Sequence, residues 1–157
     1  MKTLFMPMAA LATLALPAAA MAQQAQMPVE LIGVWSNDDE EGRAQCADYR
    51  KDPVARDDGY DPLVGAVIIR KGLIHSYSEY GEGNFYKVER VSPAGAKSWR
   101  IRSRLYLDTR PPEGPARSGE DNSTPVTDTL TLKGATLSWE APEEEARTLF
   151  RCGNLPR

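Results

Sequence analysis

Apolar and polar residues alternate with a period of two along most of the chain after residue 22, and turn signals rich in Gly, Pro, Asn and Asp separate the alternating segments. This period is typical of β-strands with one buried face, and no amphipathic helical pattern longer than two turns competes with it. In the clearest segment, Ser98–Asp108, one face carries small Ser103 and large apolar residues: Trp99, Ile101, Leu105 and Leu107. The other face carries Arg100, Arg102, Arg104 and Tyr106. The alternation predicts an all-β protein.

Eight segments have this character: Leu31–Ser36, Val64–Lys71, Leu73–Tyr80, Phe85–Val91, Ser98–Asp108, Val126–Lys133, Ala135–Trp139 and Ala146–Cys152. Short linkers favour hairpins, so we predict an eight-stranded antiparallel up-and-down barrel, whose closure removes exposed strand edges. A two-sheet sandwich is the alternative, because the loops at 37–62 and 109–125 are long enough for Greek-key crossovers. The first of these loops is expected to hold one helical turn near Cys46–Tyr49.

The first 22 residues have the pattern of a secretory signal peptide: Lys2, an apolar stretch over Leu4–Ala20, and a small-residue cleavage site at Ala20-Met21-Ala22. We therefore expect a signal peptide at 1–22, an N-terminal extension at 23–30 and a barrel domain at 31–157. The expected location is periplasmic or secreted, with no membrane span after cleavage.

Export predicts a structural role for the two cysteines, because thiols in a small exported domain usually form disulfides. Cys46 and Cys152 are the only cysteines, so we expect one disulfide between them. It closes a loop of roughly 100 residues, which the chain-entropy model values at up to ~4–5 kcal/mol. Zinc binding is the alternative, and one histidine beside two cysteines is a poor ligand set for it.

The charge balance argues against a nucleic-acid partner. The chain has 22 acidic and 19 basic residues, and removing Lys2 with the signal peptide changes the formal net charge from −3 to −4. Proteins that bind nucleic acids obtain most of their affinity from basic clusters. Arg100, Arg102 and Arg104 form one such stripe, which we interpret as a solvated face paired with acids on neighbouring strands. An anion-binding surface is the alternative.

Gly33-Val34-Trp35 on the first predicted strand, followed by seven short strands and an arginine on the last, resembles the calycin group of lipocalins and their compact bacterial relatives. The resemblance implies a barrel whose tryptophan closes one end beneath an arginine. Trp35 is then the plug and Arg151 its partner, with Arg147 as the second choice. Stacking of a guanidinium on an indole and the small size of Gly33 suit these roles.

A second, weaker resemblance is to periplasmic barrels that inhibit secreted metalloproteases. It is carried by Glu30-Leu31-Ile32-Gly33-Val34-Trp35. In such inhibitors the mature N-terminus enters the protease cleft, which implies that Gln23–Pro28 is the inhibitory segment here.

No catalytic or metal-binding constellation is recognisable. His75 is the single histidine and lacks a nucleophile motif, so we interpret it as a surface or barrel-wall residue. The acidic runs at 38–41 and 57–61 do not have the spacing of a calcium loop. We expect no enzyme activity, no cofactor and no metal.

Six large side chains are expected to face the barrel interior: Tyr77, Tyr86, Trp99, Leu105, Leu137 and Trp139. They form either a pocket for a small apolar or amphipathic ligand or a filled core. The first hypothesis is therefore an exported lipocalin-like binding module. The alternative is a protein that inhibits or contacts an envelope or secreted hydrolase through its N-terminal segment or the 109–125 loop.

Overall fold

Eight antiparallel strands close into a barrel in sequence order, and the last strand pairs with the first. The computed structural model describes residues 26–53, 63–78, 80, 82–114, 122–142 and 145–155. The strands are β1 (Gly33–Asn37), β2 (Val67–Ile69), β3 (Leu73–Tyr77), β4 (Gly83–Gly95), β5 (Ser98–Tyr106), β6 (Thr124–Lys133), β7 (Thr136–Glu140) and β8 (Arg147–Gly153). Closure confirms the predicted barrel and excludes the sandwich.

The connection between β1 and β2 holds more structure than the single helical turn expected. It begins with a three-turn helix, α1 (Glu40–Lys51). The Asp39 carboxylate caps the helix by accepting a hydrogen bond from the Gly42 N–H at 2.7 Å, and acidic and basic residues occupy the first and last turns respectively. The buried stripe consists of Gly42, Cys46 and Tyr49. A stripe this narrow, with glycine in it, gives little amphipathic signal in the sequence.

Helix α1 lies against the outside of the barrel and is joined to β8 by the predicted disulfide between Cys46 and Cys152. Tyr49 and Arg50 add hydrogen bonds from the helix to the backbone oxygens of Asn154 and Cys152, both at 2.7 Å. The buried outer cluster beneath the helix comprises Val34, Cys46, Tyr49, Leu63, Ala66, Ile68, Tyr77 and Cys152. The wall around β1 to β3 and β8 is therefore buried on both faces.

The inner core is apolar and lies towards one end of the barrel. Its members are Met27, Leu31, Trp35, Val67, Ile69, Ile74, Val88, Val91, Ile101, Leu130, Leu137, Trp139 and Leu149. The β2–β3, β4–β5 and β6–β7 turns meet a short 3-10 helix, Val29–Leu31, at what we call the closed end. The opposite end, called here the loop end, carries the α1 connection and the three other connections.

Some predictions fall outside the described residues. They are the signal peptide at 1–22, the extension as far as residue 25, the acidic run at 57–61 and the middle of the 109–125 loop.

Within the ranges that the structure describes, no helix has both the length and the apolar composition needed to cross a membrane.

Candidate functional site

The closed end is built around Trp35, which is 1 % exposed. Its indole N–H donates to the Leu31 carbonyl oxygen at 2.8 Å, and the Arg151 guanidinium lies 5.4 Å from the ring centroid. Arg151 also donates to the carbonyl oxygens of Glu30 and Ile32, at 2.9 and 2.8 Å. The structure thus places Arg151, rather than Arg147, over the indole. Cation–π contact and carbonyl acceptors together satisfy the half-buried guanidinium.

Gly33 permits this arrangement because any side chain there would collide with the opposite strand. A Cβ at Gly33 would lie 2.7 Å from the Gly153 carbonyl oxygen, and its φ of +152° disfavours other residues. The backbone can therefore approach β8 closely where β1 begins.

The residues before β1 also belong to the closed end. Met27 is buried in the inner core, and its N–H donates to the Lys71 carbonyl oxygen at 2.8 Å. The end of the segment that the inhibitor resemblance assigns to a protease cleft, Met27 and Pro28, is thereby placed on the barrel. Only residues ahead of Met27 remain candidates for insertion into a cleft.

The interior near the loop end is polar, in contrast to the closed end. Directly paired residues on antiparallel strands share a face, so the register places several polar side chains on the inward face, among them Asn37, Ser76, Ser103, Asp128 and Arg147. Half-buried Arg147 donates to Asn37 Oδ1 at 3.0 Å and to Ser76 Oγ at 3.5 Å. Its guanidinium also lies 5.8 Å from the Trp139 ring. Arg147 therefore links β8 to β1, β3 and β7 in the interior.

Two buried polar atoms beside this network lack a hydrogen-bond partner in the described part of the chain: Ser103 Oγ and Trp139 Nε1. Ser103 is fully buried and Trp139 is 4 % exposed. The buried Asp128 lies between them, because Asp128 pairs with Ile101 on β5 and its neighbour Leu130 pairs with Trp139 on β7. Three neighbouring strands thus each place one polar group on the inward face of this part of the wall: a hydroxyl, a carboxylate and an indole N–H.

A cavity of about 20 Å³ lies at this end, lined by Tyr86, Trp139, Ala141, Glu145 and Arg147. Such a volume holds about one water molecule. The Tyr86 ring meets the Trp139 ring edge to face, with centroids 5.2 Å apart. Side chains therefore fill most of this space, and the cavity admits a single small polar group.

The six side chains expected in the interior do not form one site. Tyr86, Leu105 and Trp139 lie inside towards the loop end, whereas Trp99 and Leu137 pack inside nearer the closed end. The alternation already placed Ser103 on the apolar face of its strand, but it did not single out Asp128, which has the spacing of the same inward face as Leu130. A polar residue on an otherwise apolar face looks like a break in the alternation. Only its pairing with both neighbouring strands shows that it is buried.

Tyr77 is a correction, because it faces outwards and belongs to the outer cluster. On β3 the inward positions are taken by Ile74 and Ser76, which pair with Ile69 and Val67. Tyr77 instead lines an open groove of about 640 Å³ on the outside of the loop end, with Val64, Gly65, Ser78, Tyr80 and Glu82. Large residues occupy both faces of β3 because both faces are buried there.

His75 is also on the outer face, stacked on Phe85 with ring centroids 3.9 Å apart. Its Nε2–H donates to the Glu82 carbonyl oxygen at 2.8 Å. Burial lowers the pKa of the imidazole, which favours the neutral ring. Across the described ranges, no group of three or more His, Cys, Asp or Glu residues is arranged to hold a metal ion.

Comparisons of the chain with known protein families, with curated proteins and with solved structures found no match. The barrel and its closed end are compatible with a lipocalin-like fold.

Proposed function

We propose that this protein is an exported binding module that takes the polar group of a small amphipathic molecule into the loop end of its barrel. The unpartnered indole N–H of Trp139, a buried ring that the Arg147 guanidinium contacts, carries this proposal. A buried donor without an acceptor costs about 1–3 kcal/mol. A ligand oxygen supplies that acceptor, and the Arg147 guanidinium favours an anionic group.

The size of the cavity determines how much of the ligand enters. About 20 Å³ accommodates a head group and not a whole ligand, which usually fills roughly 300 Å³ or more. The apolar part of the ligand then rests at the loop end, where half-buried Leu105 lies inside and Leu107, just past β5, is 64 % exposed. This division favours an amphipathic ligand over a purely apolar one.

Nitrogen-15 NMR of the three tryptophan indole groups tests the proposal, with octanoate and 1-octanol as probes. We expect octanoate to shift the Trp139 indole signal and to leave that of Trp35 unchanged, because Trp35 already donates to Leu31. Arg147→Met should weaken octanoate binding by about tenfold or more and affect 1-octanol little, since a charge-assisted hydrogen bond is lost.

Arg70→Met, an exposed arginine beside the β2–β3 turn at the closed end, is the matched control and should bind octanoate normally. If neither amphiphile shifts the Trp139 signal at millimolar concentration, or if both variants weaken octanoate equally, the proposal is wrong.

The second candidate is an inhibitor of secreted hydrolases that acts through its N-terminal segment. Exposed Val29 favours it: this residue is 79 % exposed in the 3-10 helix, close to the point where Met27 fixes the segment to the barrel. An exposed apolar side chain beside an anchored segment is a suitable contact for a partner protein.

The test removes Gln23–Gln26 and replaces Val29 with Ser, while Met27 is retained because it packs in the inner core. The full chain should inhibit a secreted bacterial zinc metalloprotease, and the variant should lose inhibition with an unchanged melting temperature. Equal inhibition by both proteins, or none by the full chain, rules this candidate out.

A further inference from the structure

The outer face of β4 and β5 gathers arginines in an otherwise acidic protein. The register puts Arg90 directly opposite Arg102, and Arg100 and Arg104 follow on the same face of β5. We call Arg90, Arg100, Arg102 and Arg104 the basic face. Like charges directly opposite one another on neighbouring strands destabilise a sheet. The folded protein therefore keeps a repulsive pair on an exposed surface.

Acidic neighbours neutralise only part of this charge. Glu89, the extra residue where the β4–β5 register shifts, contacts Arg102 Nε at 3.2 Å and Arg104 Nε at 3.1 Å. Among the described residues, Arg90 and Arg100 have no carboxylate within salt-bridge distance. The expected pairing with acids on neighbouring strands is therefore found on the β4 side, through the single residue Glu89.

The β6 side contributes hydroxyl groups instead of acids. Thr129 pairs with Arg100, and Thr127 pairs with Arg102. Beyond them, Glu140 of β7 pairs with Thr129. Guanidinium and hydroxyl groups together match a ligand that carries both anionic groups and hydroxyls.

We propose that the basic face binds a linear anionic polysaccharide. Alternate residues on a strand are about 6.7 Å apart, so Arg100, Arg102 and Arg104 present a regular row of cations to a polymer with repeated charges. The planar guanidinium binds carboxylate, sulfate or phosphate groups through two parallel hydrogen bonds. Binding also relieves the repulsion between Arg90 and Arg102.

The composition of the surface distinguishes this occupant from a protein or a single-stranded nucleic acid. Of the described residues, the exposed large apolar ones are Val29, Tyr80 and Leu107, and none lies on the basic face. Protein interfaces usually need such an apolar anchor at their centre. Single-stranded nucleic acids are held by exposed aromatic rings on which bases stack. A polysaccharide requires neither an apolar anchor nor an exposed aromatic ring.

Heparin, a sulfated linear polysaccharide, is the probe, with neutral dextran as the negative control. We expect heparin to bind and dextran not to bind. Arg90→Gln with Arg100→Gln should weaken heparin binding by about tenfold or more and make it less sensitive to salt. The same variant should retain or gain thermal stability, because it removes the opposed charges.

Arg70→Gln with Lys133→Gln removes the same number of exposed charges outside the basic face and should bind heparin normally. The proposal fails if the two double variants lose affinity equally, which indicates a nonspecific charge effect. It also fails if polyglutamate or a single-stranded oligonucleotide binds more tightly than heparin. Octanoate binding should be unchanged in both variants, which separates this surface from the barrel interior.

Discussion

His75 is a neutral packing residue whose ionisation is coupled to the stability of the barrel. Burial lowers its pKa most, and the nearby positive charges of Arg110 and Arg70 lower it further, while the hydrogen bond to Glu82 acts in the opposite direction. The ring lies flat on Phe85, so a protonated imidazole would place a charge in a largely apolar contact. The folded state therefore binds this proton less readily than the unfolded state.

The free energy of unfolding should fall as the pH is lowered through about 6.5, the ordinary histidine pKa, because the unfolded chain is protonated first. The loss should level off once the pH drops below the lowered pKa of the folded state. Urea unfolding between pH 5 and 8 measures this change in the free energy of unfolding. His75 is the only histidine, so His75→Phe should remove this part of the pH dependence. Parallel profiles for the two proteins would contradict the prediction.

At the scale of elements, α1 shows how a helix without a broad apolar face is held. Cys46, Tyr49 and Arg50 reach the residues around Cys152 by a disulfide and by hydrogen bonds. In the first turn of the helix, the Ser36 hydroxyl of β1 donates to the Gly42 carbonyl oxygen at 3.2 Å. The helix covers Val34 and the outward side of the neighbouring strands. The disulfide thus joins an outer layer to the wall of the barrel.

Replacing both cysteines, Cys46→Ala with Cys152→Ala, should lower the free energy of unfolding by up to about 4–5 kcal/mol, because the disulfide spans 106 residues and restricts the unfolded chain. Far-UV circular dichroism should still report a β-rich fold, since the barrel strands pair without the disulfide. Urea unfolding gives the change, with the reduced wild-type chain as the control. A loss below about 1 kcal/mol would show that α1 and the strands provide nearly all of the restraint.

At the scale of the whole molecule, the barrel divides into a sealed apolar half and a polar half. Trp35, Arg151 and Met27 seal the closed end, and Arg147 spans the interior near the loop end. A ligand head group can therefore be held at one end while the other end supplies the stability. The two proposed activities occupy different sides of the wall, one inside the loop end and one on the outer face of β4 and β5.

The amino-acid sequence by itself determined the strands, their order and the disulfide. A period of two is a local property, short linkers make neighbouring strands pair, and two cysteines have one possible partner each. Arg151 could be named as the partner of Trp35 because the resemblance already joined a glycine-flanked tryptophan to an arginine on the last strand.

Only the tertiary structure decided which residues point inwards where both faces of a strand are buried. Both faces of β3 carry large residues, and α1 with residues 63–66 covers the outer one, so Tyr77 points outwards. The register of β5, β6 and β7 placed Ser103 and Asp128 on the same inward wall as Trp139, which no single strand indicates. The outer face of a strand is buried only where a distant part of the chain packs on it. The alternation of residues along one strand contains no information about which distant part packs there.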